Sequence, residues 1–287
     1  MNIKKYKITG EKGFDIESFD TKGRSGFNSE EDVQTVITHN INKISELQAK
    51  LYAEGKVALL IIFQAMDAAG KDGAIKHVMS GINPQGVNVY SFKQPSAEEL
   101  SHDYLWRAVK VLPERGKIAI FNRSYYEDVL IVKVHKLYEK LNIPDYCKGK
   151  YVIENRYRHI RNFEDYLWEN GIVTVKFFLH MSEETQRKRF LQRIDEKDKN
   201  WKFSEGDINE RRFWNDYQEA YKSAIEATAT KNNPWYVVPA DKKLYTRFVV
   251  SEVLLDVLTT IDPQYPKVSP EQEEALTVYR QRLTEKN

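Results

Sequence analysis

Apolar residues follow two patterns, one typical of helices and one typical of strands. The two patterns alternate along the chain, and together they predict an α/β fold. From residue 33 to residue 51 they recur at spacings of three and four, which is typical of an amphipathic helix. Ser29 is suited to cap the start of that helix, and Gly55 is suited to end it. Residues 57–63 then form a continuous, β-branched apolar run, which indicates a buried strand of a parallel sheet.

The two patterns alternate through most of the remaining chain. We expect strands over residues 87–92, 117–121, 172–180 and 235–238. We expect helices from residue 74 and over residues 97–112, 151–170, 182–194, 204–228, 244–258 and 269–283. Strands that alternate with helices favour a parallel sheet with helices on both faces. We therefore predict a single α/β domain over residues 1–287, with a polar, glycine-interrupted N-terminal arm over residues 1–29.

The composition excludes several other classes of protein. The 287 residues include 17 Tyr, 13 Phe and 5 Trp, which is a higher aromatic content than intrinsically disordered chains carry. Lys and Arg total 44 against 42 Asp and Glu, so a net charge of +2 gives no strongly basic field, and we expect no nucleic-acid partner. Cys147 is the single cysteine, which rules out an internal disulfide and a cysteine-based zinc cluster.

The sequence contains no apolar run of the length of a membrane span. The most apolar run, residues 57–63, has seven residues, whereas a helix needs about 20 to cross a bilayer. Residues 1–17 are charged and show neither the apolar core nor the cleavage site of a secretory signal. We expect a cytoplasmic protein that has no membrane partner.

The segment AMDAAGKDG, residues 65–73, joins the first predicted strand to a helix and has the character of a phosphate-binding loop. Small residues let backbone N–H groups approach an anion, while Lys71 adds a charge for phosphate oxygens. The match to G-x-x-x-x-G-K-[ST] is imperfect, because Ala65 and Asp72 replace the first glycine and the final hydroxyl residue. Asp67 would repel a phosphate unless Mg²⁺ lies between them. The alternative is a plain turn with a solvated Lys71.

A second candidate cluster, NRSYYED, follows the strand predicted over residues 117–121. Ligands of parallel α/β sheets bind beyond the carboxyl ends of the strands, so we expect this cluster beside the phosphate loop. Arg123 can hold phosphoryl oxygens with two hydrogen bonds, and Glu127 or Asp128 can hold a metal or orient an acceptor. The alternative is that these acids only stabilise a helix N-terminus, and we favour Glu127 for function. The candidate phosphate- and nucleotide-binding residues are Ala68, Ala69, Gly70, Asp72, Gly73 and Asn122.

The segment 187–213 is rich in arginine and poor in apolar periodicity. Arg189 and Arg193 are four residues apart and share one helix face, and Arg187 belongs to the same charged stretch. A flap of this kind over a phosphate site can exclude water and neutralise transition-state charge. The alternative is a solvated helix whose charges pair with one another.

Several runs of the sequence, taken together, resemble family-2 polyphosphate kinases, which transfer phosphoryl groups between polyphosphate and nucleotides. The runs are MDAAGKDG, SGINPQGVNVYSFKQPSAEEL, HDYLWR, FNRSYYEDVL, RFLQRID, WKFS and PWYVVPAD, in this order. They extend over residues 32–258 and are more specific than a phosphate loop alone. The form FNRSYYEDVL, with Asn122 and Glu127, is similar to class III members, which phosphorylate nucleoside mono- and diphosphates.

The resemblance implies a P-loop kinase fold, a parallel sheet flanked by helices with a helical lid over residues 187–213. It implies Mg²⁺ at Asp67, a homodimer or homotetramer, and polyphosphate with AMP, ADP and ATP as substrates, GMP and GDP being further candidates. Two departures from the family pattern are Ala65 in place of glycine and Asn122 in place of the Walker B aspartate. The implied catalytic residues are Asp67, Lys71, Arg123 and Glu127, and the implied polyphosphate-binding residues are Lys76, Arg187, Arg189 and Arg193.

Two other functions fit the same motifs. A nucleoside or nucleotide kinase that uses ATP as the donor would share the phosphate loop, an arginine after the strand that carries the second cluster, and the arginine-rich lid. A non-catalytic nucleotide-binding regulator fits less well, because the lysine, the metal-binding acid and the lid residues are all present.

Overall fold

The fold is taken from a computed structural model, which describes residues 3–10, 13–23, 26–27 and 29–285. In these residues the strands form one six-stranded sheet in the order β1-β6-β5-β2-β4-β3. The strands β2 to β6 pair in parallel, and β1 pairs antiparallel with β6 at one edge. The strand bounds are β1 Lys7–Ile8, β2 Ala58–Ala65, β3 Val87–Ser91, β4 Ile118–Asn122, β5 Ile172–His180 and β6 Trp235–Pro239.

Helices surround this sheet, and the long ones follow the apolar periodicity of the sequence. Helix α1 begins with the predicted cap, since the Ser29 hydroxyl accepts a hydrogen bond from the Asp32 N–H at 3.1 Å. It ends at Gly55, which has the left-handed φ of +65°. The helix bounds are α1 Glu30–Glu54, α2 Lys71–Val78, α3 Ala97–Leu100, α4 Trp106–Val109, α5 Ile131–Val134, α6 Val152–Glu169, α7 Glu183–Asp195, α8 Glu205–Arg211, α9 Trp214–Thr228, α10 Lys243–Ile261 and α11 Pro270–Thr284.

Strand β2 lies at the centre of the sheet, between β4 and β5. All eight of its residues are buried, which explains why its sequence is apolar without alternation from Ala58 to Phe63. Its carboxyl end at Ala65 therefore lies in the middle of the row of strand ends, between the carboxyl ends of β4 and β5; this row is called the edge of the sheet below. The predicted parallel sheet flanked by helices is confirmed, and this edge is where its topology places a ligand.

The N-terminal arm is more integrated than the sequence indicates. Lys7 and Ile8 pair with β6, and Tyr6, Phe14 and Ile16 are buried in the core. A two-residue strand leaves no periodic signal, which is why the sequence pattern predicted only a surface arm. Residues 1–2, 11–12, 24–25 and 28 of the predicted arm lie outside the described residues.

The helix predicted over residues 97–112 is wrong, because the chain forms two separate single turns, α3 and α4. The Ser101 hydroxyl donates to the Glu98 carbonyl at 2.7 Å, and the Asp103 carboxylate accepts from the Leu105 N–H at 2.9 Å. Short polar side chains of this kind compete with the helical hydrogen bonds of the backbone, and here they end one turn and begin the next.

The segment predicted as a lid consists of the last two turns of α7, a 3₁₀ turn over Lys197–Lys202, and α8. From residue 191 to residue 219, a range that is described throughout, no residue is buried. This segment therefore contributes little to the core, as the sequence pattern predicts. None of the helices in the described part of the chain combines the length and the apolar character that a membrane crossing requires.

Candidate active site

The turn between β2 and α2 has the backbone shape of an anion cradle. Ala68 and Gly70 both adopt left-handed conformations, with φ of +64° and +99°. Gly70 stands at the N-cap of α2, where glycine adopts such a φ without strain. The turn thus presents the N-terminal N–H groups of α2 to the edge of the sheet, where they are suited to bind phosphate oxygens.

Lys71 is the first residue of α2, and its side chain folds back beneath this turn. Its Nζ donates to the Ala65 carbonyl at 3.1 Å, and only 9% of the residue is exposed. Burial lowers the pKa of Lys71, while the nearby Asp67 carboxylate opposes this and favours the charged form. The ammonium group is therefore held at one point beside the cradle rather than free in solvent.

Asp67 and Arg123 form an ion pair across the edge of the sheet. Arg123 Nη2 donates to Asp67 Oδ1 at 2.6 Å. Burial disfavours the charged form of Asp67, but Lys71 and Arg123 outweigh it and lower the pKa of this carboxyl group. Asp67 is therefore ionised at neutral pH, which a metal ligand requires.

Arg123 has an unusual backbone conformation directly after β4. Its φ is +62°, and its N–H donates to the Phe63 carbonyl of β2 at 3.0 Å. The neighbouring Asn122 donates from Nδ2 to Asp72 Oδ1 at 2.7 Å, so β4 is linked to α2 as well. These contacts fix the second predicted cluster against the phosphate loop.

Glu127 belongs to the same electrostatic cluster, although Asp128 does not. Burial raises the pKa of Glu127, and the positive charges of Arg123 and Lys71 oppose that rise. The structure thus brings together all four residues that the sequence predicts as catalytic, Asp67, Lys71, Arg123 and Glu127. Asp128 instead accepts a hydrogen bond from Arg156 at 3.2 Å, a pair that joins the loop to α6.

A cavity of about 600 Å³ opens above the phosphate loop. Among the described residues, nine basic and two acidic side chains line it, which makes it strongly positive although the whole chain has a net charge of only +2. The two acids are Asp67 and Asp72, and the predicted loop residues Ala68, Ala69, Gly70 and Gly73 line it as well. The basic residues are Lys71, Lys93, Arg123, Arg189, Arg193, Lys199, Lys202, Lys243 and Arg247.

Five of these cations were not predicted from the sequence. Lys93 and Lys243 follow the carboxyl ends of β3 and β6, so the rule that ligands bind at strand ends could have found them. Arg247 lies one turn beyond Lys243 on α10. Lys199 and Lys202 lie within the predicted lid, where the sequence analysis named only arginines.

Arg189 is placed differently from the expectation of a free phosphate-gripping arginine. Its Nη1 donates to the carbonyls of Ala68 and Ala69 at 2.9 and 2.8 Å. Its Nη2 donates to the carbonyls of Ala240 and Asp241 at 2.7 and 3.1 Å. The guanidinium group thus links the phosphate loop to the loop after β6, and its edge also lines the cavity.

Of the other predicted polyphosphate-binding residues, one lines the cavity and two lie outside its lining. Arg193 lines the cavity and donates to Asp207 at 3.2 Å within the lid. Arg187 lies outside the cavity lining, with its side chain 53% exposed and paired with Glu184. Lys76 is exposed on α2 next to His77, whose pKa is lowered by burial and by the positive charges of Arg247 and Lys76. Lys76 therefore extends the basic surface away from the cavity.

The donor set at the cradle fits a magnesium ion. In the described residues there is no group of three or more His, Cys, Asp and Glu side chains that could enclose a metal. Asp67 lines the cavity, and because its Oδ1 accepts from Arg123, Oδ2 is the oxygen that it could offer to a metal. Mg²⁺ is typically held by one or two carboxylates together with water and substrate phosphates, and Asp67 supplies such a carboxylate.

Comparison with known proteins identifies the family. The sequence model described as Polyphosphate kinase 2 (PPK2) matches residues 27–266. This chain belongs to the polyphosphate kinase 2 family. The family resemblance predicted from the motifs is thereby confirmed, and the matched range contains every residue of the cavity lining described above.

Relatives of known activity and structure cover nearly the whole chain. An ADP-polyphosphate phosphotransferase of Rhodopseudomonas palustris is 47% identical over 285 residues, which is 99% of each chain. An AMP/ADP-polyphosphate phosphotransferase of Meiothermus ruber is 43% identical over 266 residues, covering 92% of this chain and 96% of that protein. The crystal structure of polyphosphate kinase 2 from Arthrobacter aurescens TC1 superposes with a TM-score of 0.83 at 40% identity, over 94% of this chain and 95% of that one.

Proposed function

We propose that this protein transfers the terminal phosphoryl group of inorganic polyphosphate to AMP and ADP, forming ADP and ATP, and that the transfer is reversible. The observation that carries this proposal is the cavity over the phosphate loop, in which nine cations face two acids among the described residues. A polyanionic donor needs such an excess of positive charge, and the excess extends beyond the cradle through Lys243, Arg247 and Lys76. The names of the relatives support the same pair of substrates.

In the proposed reaction, an oxygen of the acceptor's terminal phosphate attacks the terminal phosphorus of polyphosphate. The bond from that phosphorus to the bridging oxygen breaks, and the shortened polyphosphate leaves with the bond's electron pair. Lys71, Arg123 and the N–H groups of the loop stabilise the charge on the transferring group, and positioning of this kind supplies most of the rate in phosphoryl transfer. Bound Mg²⁺, held by Asp67, would neutralise phosphate charge.

The acceptor site is proposed on the side of Arg123 and Glu127. AMP and ADP differ by one phosphate, so an enzyme that uses both must let the nucleoside shift while the reacting oxygen stays in place. Glu127 is suited to bind a water or metal that fills the space of the missing phosphate of AMP, because the positive charges of Arg123 and Lys71 favour its ionised form against the effect of burial. Guanine nucleotides, a homodimer or homotetramer and a cytoplasmic location are further parts of the proposal.

The decisive experiment supplies purified protein and Mg²⁺ with polyphosphate and either AMP or ADP, and follows the nucleotides by chromatography. A parallel reaction supplies ATP as the donor with AMP or a nucleoside as the acceptor. Polyphosphate-dependent formation of ADP and ATP supports the proposal. Turnover with ATP as donor and none with polyphosphate would instead favour an ATP-dependent nucleoside or nucleotide kinase.

The role of Glu127 is tested by the Glu127→Asn variant, with kcat/KM measured for AMP and for ADP. We expect the AMP reaction to fall roughly tenfold more than the ADP reaction. A thermal melt serves as the control for folding. Equal losses of kcat/KM for AMP and ADP would reject the selective role. If the melting temperature also falls, Glu127 acts mainly through stability.

A further inference from the structure

A cluster of polar side chains lies completely buried behind the loop that carries Arg123 and Glu127. Glu164 on α6 is its centre, and its Oε1 accepts hydrogen bonds from the hydroxyls of Tyr125 at 2.9 Å and Tyr126 at 2.8 Å. Its Oε2 accepts a hydrogen bond from Lys176 in the middle of β5. Each of these four residues has at most 1% of its surface exposed.

The cluster also reaches the helix that follows the lid. Lys176 Nζ donates to the Thr228 carbonyl at 3.0 Å, and the Tyr126 hydroxyl lies 2.9 Å from Thr228 Oγ1. A buried ion pair of this type gives no more stability than well-packed apolar residues would, because both charges lose their hydration. Its geometry, however, fixes two neighbouring tyrosines to one carboxylate.

The backbone between these tyrosines and β4 needs such support. Arg123 has a φ of +62°, a left-handed conformation that is unfavourable for a residue with a side chain. Conformations of this kind persist only where the surroundings impose them. On one side, the Phe63 carbonyl holds the Arg123 N–H at 3.0 Å. On the other side, the fully buried Ser124 accepts a hydrogen bond from Gln64 Nε2 of β2 at 3.5 Å, and the fully buried Tyr125 and Tyr126 that follow it are both hydrogen-bonded to Glu164.

We propose that Glu164 is a positioning residue which, through the hydroxyls of Tyr125 and Tyr126, holds the turn that directs Arg123 toward the phosphate loop. The inference rests on the proposed function only through the role of Arg123 in transfer. Lys176 donates to Oε2 of Glu164, and its positive charge opposes the burial that raises the pKa of this carboxyl group.

The mildest test uses Tyr125→Phe and Tyr126→Phe, which remove the hydroxyls and keep the rings. We expect kcat to fall roughly tenfold in each variant, because small misplacements of a positioned group are costly. The matched control is Tyr6→Phe, which removes a buried tyrosine hydrogen bond of 2.7 Å to Tyr245 in the N-terminal region. The inference is overturned if the three variants show equal losses of melting temperature and equal kcat.

A double-mutant cycle separates positioning from a general loss of structure. If Tyr126 acts through Arg123, Tyr126→Phe lowers kcat less than about twofold further in an Arg123→Ala background. If the two losses multiply, the inference is wrong even though Arg123 remains important. If Arg123→Ala alone keeps wild-type kcat, the proposed role of Arg123 fails, and the inference fails with it.

Two double variants test whether an oxygen at position 164 is needed to accept the hydrogen bonds of the two tyrosines. Glu164→Gln/Lys176→Met removes both charges but keeps an amide oxygen for the two tyrosines, whereas Glu164→Met/Lys176→Met removes the acceptor as well. We expect the first to keep at least tenfold more activity than the second when both are folded. Equal activity would reject the role of the carboxylate oxygen. If either double variant does not fold, the tyrosine variants and the cycle decide.

Discussion

Lys71 carries a charge that the fold keeps almost out of contact with solvent. Its ammonium group is bound by the Ala65 carbonyl and lies near the Asp67 carboxylate, so it is already oriented before a phosphate arrives. A group held in place in this way loses little freedom in the transition state, which is the reason that it is effective there. Asp67 is oriented in the same manner by Arg123.

We predict that Lys71→Met and Asp67→Asn each lower kcat roughly 10²–10³-fold, which is the usual loss when one oriented electrostatic contact is removed. The measurement is steady-state transfer from polyphosphate to ADP at saturating Mg²⁺, with a thermal melt to confirm folding. Lys56→Met is the matched control, because Lys56 is an exposed lysine that pairs with Glu54 on the surface. A Lys71 or Asp67 variant that retains more than half of wild-type turnover would remove that residue from the site.

Arg189 is the lid residue for which two roles make different predictions. If it links the two loops through its four carbonyl contacts, Arg189→Ala leaves these carbonyls without donors, and the free energy of unfolding falls by about 2–3 kcal/mol together with kcat. If it only grips phosphate, KM for polyphosphate rises and stability stays the same. We predict the first result, with urea unfolding and kinetics measured on the same preparation. An unchanged free energy of unfolding would contradict it.

The proposed lid, residues 187–213, is weakly packed. It contacts the phosphate loop through Arg189, and it contacts the body through Glu210, which lies 3.0 Å from His135 Nε2 and accepts a hydrogen bond from Tyr217 at 2.7 Å. Between these contacts Phe190 is the one buried residue of a range that is described throughout, so the free energy needed to open it locally is small. Phosphate bound between the lid lysines and the loop adds contacts that exist only in the closed form.

We predict that polyphosphate together with ADP slows trypsin cleavage at Lys197, Lys199 and Lys202 roughly tenfold, as measured by mass spectrometry of the fragments over time. Cleavage after Lys136 and Lys140, which lie outside the lid, serves as the internal control and should keep its rate. A uniform slowing at both regions would show general stabilisation rather than lid closure, and an unchanged rate in the lid would contradict the prediction.

At the scale of the whole molecule, the charge is strongly uneven. The chain is nearly neutral, with a net charge of +2, whereas the cations of the cavity outnumber its acids by nine to two among the described residues. Such a local excess attracts a polyanion over a distance that salt shortens, since the screening length falls from about 10 Å at 0.1 M to about 3 Å at 1 M.

We predict that KM for polyphosphate rises steeply between about 50 and about 300 mM KCl, while KM for ADP, with fewer charges, rises less. The double variant Lys199→Gln/Lys202→Gln should show a shallower salt dependence for polyphosphate. The control Lys43→Gln/Lys56→Gln removes the same charge from exposed positions outside the cavity lining and should keep the wild-type slope. Parallel slopes in the two double variants would show that overall charge, rather than the cavity, sets the attraction.

The sequence by itself determined the features whose causes are local. The run at residues 57–63 predicts β2, because it is short, β-branched and apolar without alternation, as expected of a strand that is covered on both faces. The residues of the phosphate loop, with Lys71 and Asp67, follow directly in the chain, so their proximity needs no knowledge of the rest of the fold. Arg123 and Glu127 could be placed beside them because parallel strands end at one edge of a sheet.

Only the tertiary structure decided which other residues meet at that edge. Lys93 and Lys243 come from opposite sides of the sheet, and their side chains share a cavity because the strand order places β3 and β6 around β2. The sequence predicts Arg189 as a polyphosphate-binding residue of the lid, but the carbonyls that bind it belong to residues more than 50 and more than 100 positions away. Every residue has a backbone carbonyl, so the sequence does not show which carbonyls need a side-chain donor. That is decided only by the folded structure.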